Sequence, residues 1–206
     1  MLRRVSALAF AALTASAFSA QAAPIDLSSL IDTSGNPVSV PELSISTPEV
    51  AATIFVGGAP VFGVQEVVFC AFDGTTCAND LILTFATPST DVSFSVGDAL
   101  PVGAVDTIQV SAFDAMSNLL GTVDVDSGDL AAGGADANGI SQFTVDLSAF
   151  GTIASVEIDD LNTAATGGFF YYDVNASPIP LPAALPLLAL GLGALGAAKR
   201  RKRKAA

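Results

Sequence analysis

The chain carries few residue types that can do chemistry. Histidine and tryptophan are absent, the cysteines are Cys70 and Cys77, and 20 Asp plus Glu stand against 8 Lys plus Arg in 206 residues. Without histidine, neither a Ser-His-Asp or Cys-His nucleophile nor a His-ligated metal centre can be built. The eight cations are Arg3, Arg4, Lys199, Arg200, Arg201, Lys202, Arg203 and Lys204, and every acid lies from Asp26 to Asp173. A body of that charge has no basic face for phosphate or nucleic acid. Carboxylates free of competing cations are instead what a hard divalent ion such as calcium takes. The densest run is Asp124-Val-Asp126-Ser-Gly128-Asp129. It is not an EF-hand loop, because glycine falls at the fifth position and Ala135 at the twelfth. Asp159-Asp160 beside Asn162, and Asp136 with Asn138, are further calcium candidates, each standing against the plainer reading of a solvated face or a turn cap.

Paired carboxylates also serve glycoside hydrolysis. Glu157 with Asp159, and Asp124 with Asp126, are spaced to share one face of a strand. Any solvent face has the same spacing, and with two Tyr and no Trp there is little ring surface for a sugar to stack on. A non-enzymatic protein is the expectation.

The elements that position these residues are strands. Val92, Phe94 and Val96 alternate with Ser93 and Ser95, Ile108, Val110 and Ala112 with Gln109 and Ser111, and Phe143, Val145 and Leu147 with Thr144 and Asp146. A period of two marks half-buried strands. Further strands are expected at 43–47, 52–56, 64–71, 81–86, 121–125, 155–159 and 169–175. Turn clusters separate them at 33–37, 57–60, 73–74 and 131–139. About ten short strands, with no helical spacing held for three turns from 24 to 175, predict an all-β fold: an antiparallel two-sheet β-sandwich of jelly-roll or immunoglobulin-like kind over residues 23–176.

The two ends have a different composition. Arg3 and Arg4 precede an apolar run from Val5 to Phe18 and the small residues Ala20-Gln21-Ala22, the order of a secretory signal peptide over 1–22 cleaved after Ala22. The body would therefore be flanked by an N-terminal signal helix and, at the other end, a C-terminal apolar helix. In such an exported chain the even cysteine pair, with Asp73-Gly74 as a turn between them, is expected to form a Cys70–Cys77 disulfide. Residues 177–206 read as three blocks: a Pro-rich motif at 178–183, an uncharged apolar helix at 183–198 and a basic tail at 199–204. The sixteen apolar residues span roughly 24 Å as a helix against a hydrocarbon core of about 30 Å, a marginal membrane span. Positive charge beyond it holds the distal end on the cytoplasmic side. Gly191-Leu-Gly193-Ala-Leu-Gly196 in this tail follows no strand, so a dinucleotide site is not implied.

Ile179, Pro180, Leu181, Pro182 and Ala183, followed by the apolar and basic blocks, resemble the VPLPA-CTERM sorting signal, a relative of the PEP-CTERM signals of Gram-negative bacteria, with Ile in place of Val. The resemblance covers about residues 178–204. It implies export across the inner membrane, transient membrane anchoring, cleavage by an exosortase-type membrane protease after signal peptidase has acted, and delivery to the cell surface or extracellular matrix. A tail retained as a simple single-pass anchor is the alternative. Over roughly 80–175, the segments at 81–88, 92–98, 110–114, 153–158 and 168–174 resemble the strand order of galactose-binding-like sandwich domains of such proteins. That resemblance favours a jelly roll and adds Asp173, on the final strand, to Asp124, Asp126, Asp129, Asp159 and Asp160 as calcium candidates. The functional expectation is a structural or adhesive surface module, with a calcium-dependent module for exopolysaccharide or another glycan as the alternative and a polysaccharide hydrolase third.

Overall fold

The computed structural model describes residues 22–58, 67–74, 76–77, 80–98, 107–126, 129, 142–161 and 168–179. The chain divides into a unit of residues 21–179 and a second unit of 1–20 with 180–206; the expected signal helix, apolar helix and basic tail lie outside the described residues. Among the described residues no helix is long and apolar enough to cross a membrane.

The fold is all-β. Its strands are β1 (Ala23–Pro24), β2 (Thr33–Gly35), β3 (Val38–Ser39), β4 (Leu43–Ser46), β5 (Thr53–Gly57), β6 (Val68–Phe72), β7 (Leu81–Asp98), β8 (Thr107–Phe113), β9 (Leu119–Asp126), β10 (Gln142–Asp146), β11 (Ile153–Asp160) and β12 (Phe169–Pro178). All pair antiparallel in one twelve-stranded network ordered β2-β5-β6-β12-β7-β11-β8-β9, with β4 and β10 also on β7, β3 on β4 and β1 on β12. Single 3-10 turns occupy Ser28–Leu30 and Ser148–Phe150. The expected turn cluster at 33–37 is partly strand, because Thr33–Gly35 pairs with Val56, Phe55 and Ile54 of β5.

The two strands expected at 81–86 and 92–96 are one strand of 18 residues. Leu81, Leu83 and Phe85 point into the core from its first half, Val92, Phe94 and Val96 from its second. Side chains alternate strictly along a strand, so a switch from odd to even positions requires one irregular residue between them. Asp91 supplies it at φ 51°. The neighbours shift register at the same level: β11 between Ile153 and Ser155, and β12 between Tyr172 and Ser177, where Asp173 sits at φ 54°. The first half of β7 carries β4 on one edge and β11 on the other; the second half carries β12 and β10.

The inward residues of both halves join one apolar cluster, from Leu43, Ile45, Ile108, Val110, Val156 and Ile158 to Ile54, Val56, Phe69, Val145, Phe169 and Tyr171. Burying aliphatic and aromatic side chains of this size stabilises by about 1.5–3 kcal/mol each. Val68, Phe170 and Tyr172 form a second, small cluster. There the Phe170 ring lies over its cross-strand partner Gly97 so closely that no Cβ would fit, and the Tyr172 hydroxyl donates to Gln142 Oε1 at 2.6 Å.

A left-handed backbone is open to Asp but strained for a β-branched residue. Asp91→Val is therefore expected to lower unfolding free energy by about 1–2 kcal/mol in urea melts, while Asp91→Gly leaves it unchanged or higher. Equal loss in both variants would show that the Asp91 side chain, and not its backbone, sets the switch.

Candidate functional site

The acids expected to do chemistry fall in three places. The largest is the outer face of β11, β8 and β9, where Asp159, Gln109 and Asp124 are Cα partners in one row and Glu157, Ser111 and Thr122 in the next. Strands are about 4.8 Å apart, so Asp159 and Asp124 stand roughly 10 Å from each other across Gln109. Gln109 Nε2 donates to Asp124 Oδ1 at 3.0 Å and holds that carboxylate toward the centre of the row. Glu157 and Asp159 share this face, as do Asp124 and Asp126, as their spacing of two requires.

Asp160 has the other parity and lies on the side of Ile158. Its backbone N–H donates to Asp80 Oδ1 at 3.0 Å, a contact spanning 80 residues. Burial, and then the Asp80 carboxylate, raise the Asp159 carboxyl above the usual carboxylate range. Burial, with Asp160 and Asp80 behind it, pushes the Tyr171 phenol far up and keeps it neutral. Asp80 is the acid that sequence reading missed. It precedes a strand and looks like any turn residue; only the β11–β7 pairing brings it to Asp160.

At the end of β9, Asp126 and Asp129 meet reciprocally: Asp126 N donates to Asp129 Oδ2 at 3.1 Å and Asp129 N to Asp126 Oδ1 at 3.0 Å. This is the turn-cap use of carboxylates. Asp173, on β12, and Asp26 both line a cleft of about 330 Å³. Asp26 also lines an adjoining cleft of about 360 Å³ with Glu42, Phe85, Thr87 and Pro178. Hydrogen bonds from Ser28, side chain and backbone, hold Asp26 below the usual carboxylate range. Among the described residues no three His, Cys, Asp or Glu side chains gather closely enough to hold a metal ion. Asp136, Asn138 and Asn162 lie outside the described residues.

The disulfide is present between Cys70 on β6 and Cys77, with Cα atoms 5.5 Å apart. The turn between them is closed by Asp73: its N–H donates to Thr76 O at 3.3 Å, its Oδ1 accepts from Thr76 N at 2.9 Å, and Gly74 takes φ 100°. The Cys77 backbone packs on Gly168, just before β12, with no space for a Cβ. The clamp thus fixes both β6 and the start of β12. Of the expected sorting motif, Ile179 is described: its N–H donates to Pro88 O at 3.2 Å and its side chain is exposed. Pro180, Leu181, Pro182 and Ala183 lie outside the described residues.

No family model and no curated protein matches the chain. Among solved structures, a DUF4465 family protein from Bacteroides caccae is similar at a TM-score of 0.45 and 11% identity, over 77% of this chain and 100% of that one. The enzymatically active domain of a bacteriophage CBA120 tailspike protein aligns at a TM-score of 0.33 and 14% identity, over 70% of this chain and 21% of that one. An arabinose-bound α-L-arabinofuranosidase aligns at 0.32 and 11%, over 76% and 24%.

Two measurements check this account. Replacing both Cys70 and Cys77 by Ser opens a short loop and should cost about 2 kcal/mol in chemical unfolding, without loss of the β spectrum; a much larger loss would mean that the bridge holds the fold and not a loop. Stability should also depend on pH in two opposed ways. Asp159, raised in the folded state, makes the fold gain stability as pH falls from neutral through its raised pKa. Asp114 is held low by Asn118, and Asp146 by Ser148, so their contribution is present above 3.8 and lost as pH falls through their depressed values. Thermal melts across that range should pass through a maximum on the acid side of neutral, and Asp159→Asn should remove the rise; an unchanged rise would assign it to other carboxylates.

Proposed function

We propose that this is an exported cell-surface or matrix protein, processed at both ends, whose acidic β-body is a structural or adhesive module. The observation that carries the reading is the partition of charge: all eight cations lie at 3–4 and 199–204, and all 20 acids from 26 to 173. Removal of 1–22 as a signal peptide, and of the tail after an exosortase-type cut in 179–183, leaves a body with no basic side chain. Three structural facts support it. The disulfide suits an oxidising exterior. The first strand pairs with the last, Ala23 opposite Ala176, so the two processing points belong to neighbouring positions of the body. One core cluster draws on both halves of the sheet, which supports a jelly-roll-like sandwich turning at β7 in which the halves pack face to face.

Such a body is suited to a passive role. Its side chains repel one another at low ionic strength and are relieved by salt or divalent cations. A second reading, a calcium-dependent glycan-binding module, is favoured by the row of Asp159, Gln109 and Asp124 across β11, β8 and β9, which offers carboxylate acceptors and an amide on one face.

Mass spectrometry of the protein recovered outside the cell is expected to find termini at Ala23 and within 177–183. An intact tail through Ala206 would overturn the sorting reading. Glycan-array binding that requires calcium and is lost with chelator would move the second reading ahead of the first, and polysaccharide turnover abolished by Glu157→Gln or Asp159→Asn would replace both with an enzyme.

A further inference from the structure

β9 ends the strand order, and among the described residues no strand pairs with its outer edge. The parity of that edge follows from the far side of β8. Leu161 N donates to Thr107 O at 3.0 Å, so the odd-numbered residues of β8 direct their backbone groups toward β11. Their partners on β9, Thr122 opposite Ser111, Asp124 opposite Gln109 and Asp126 opposite Thr107, must then direct theirs away from the sheet. Asp126 N confirms the direction, since it meets the Asp129 carboxylate and not β8. That carboxylate closes one end of the edge, and among the described residues no strand takes up the N–H and C=O groups of Thr122 and Asp124 along it, the pattern to which a strand can add.

The side chains along the edge specify what kind of strand fits. Thr122, Asp124 and Asp126 are exposed on one face, next to the row that holds Asp159 and Glu157. Val123 and Val125 lie on the other face, against the core. At the hairpin end Met116, Leu119 and Leu120 are 80%, 57% and 36% exposed. An antiparallel strand added here sets alternate residues beside the acids and the rest beside the valines. Pairing with a second copy would put these acids opposite their own counterparts, with no Lys or Arg from 5 to 198 to offset them. A basic strand has the complementary charge.

We propose that the outer edge of β9, at Thr122 and Asp124, binds an extended segment of a partner protein in which Lys or Arg alternates with β-branched or other apolar residues. Its backbone pairs with Thr122 and Asp124, and its cations lie along Asp124 and Asp126.

The test uses the purified full chain and a fluorescent nonapeptide alternating Lys and Val. Its controls are an alternating Glu and Val peptide and a peptide of the same Lys and Val content with the lysines in one block. Binding by the alternating Lys peptide alone is expected, weakened about tenfold by Asp124→Asn with Asp126→Asn. Thr122→Pro, which removes an outward N–H and leaves the β8 ladder intact, should abolish binding at unchanged melting temperature. Should that variant unfold, hydrogen exchange on the unaltered chain decides, with slowed exchange at Thr122 and Asp124 in the presence of peptide as the expected result. Equal binding of the block peptide, unaltered affinity in the Asn variant, unprotected amides, or self-association through this edge in calcium without peptide binding would each overturn the proposal.

Discussion

A strand that serves two halves of a sheet must change which of its faces is buried, and here that change depends on a single backbone state at Asp91. Before it, Leu81, Leu83 and Phe85 enter the core; after it, Val92, Phe94 and Val96 do. Four strands pair directly with β7, and each belongs to one half or the other. If the parity did not switch, one set of inward side chains would face solvent and the strands paired to that half would lose their apolar partners. Asp173 repeats the device on β12, so that the two strands bend together. Both positions use Asp, whose short side chain tolerates the left-handed region that most residues avoid.

The second constraint is electrostatic and one-sided. With no cation between residues 5 and 198, no carboxylate of the body has a Lys or Arg nearby in sequence to neutralise it. The structure spends many of its acids on backbone donors instead. Asp114 accepts from Met116 N and Asn118 N, Asp146 from Ser148 N, Asp26 from Ser28 N, and Asp80 from Asp160 N. A carboxylate satisfied by N–H groups is stabilised without a counter-ion and closes a turn as it does so. Asp159, Glu157 and Asp124 instead share one face of β11, β8 and β9, where Gln109 Nε2 donates to Asp124.

How much of this could be read beforehand differed from residue to residue. The alternation at Ile108, Val110 and Ala112, and at Phe143, Val145 and Leu147, predicted buried faces that the structure contains, because side-chain direction along a strand is a local property. The Cys70–Cys77 bridge was readable because both thiols flank one short turn. The apolar alternation at 81–86 and that at 92–96 have opposite parity and predict two strands, and the structure joins them into one strand through residues 87–91. Thr33–Gly35 was read as turn for its Ser and Gly, and pairing with β5 made it an edge strand.

By itself, then, the sequence determined which side of most strands is apolar, where two cysteines can join, and that the body has no basic side chain. Tertiary structure alone decided that Asp159 and Asp124 share a row through Gln109, that Asp80 reaches Asp160, that among the described residues no strand pairs with the outer edge of β9, and that the first strand lies on the last. The reason is that alternation records burial but not neighbours. Which strands pair is settled only when every inward face is buried in the same core at once, a condition no local stretch of chain contains.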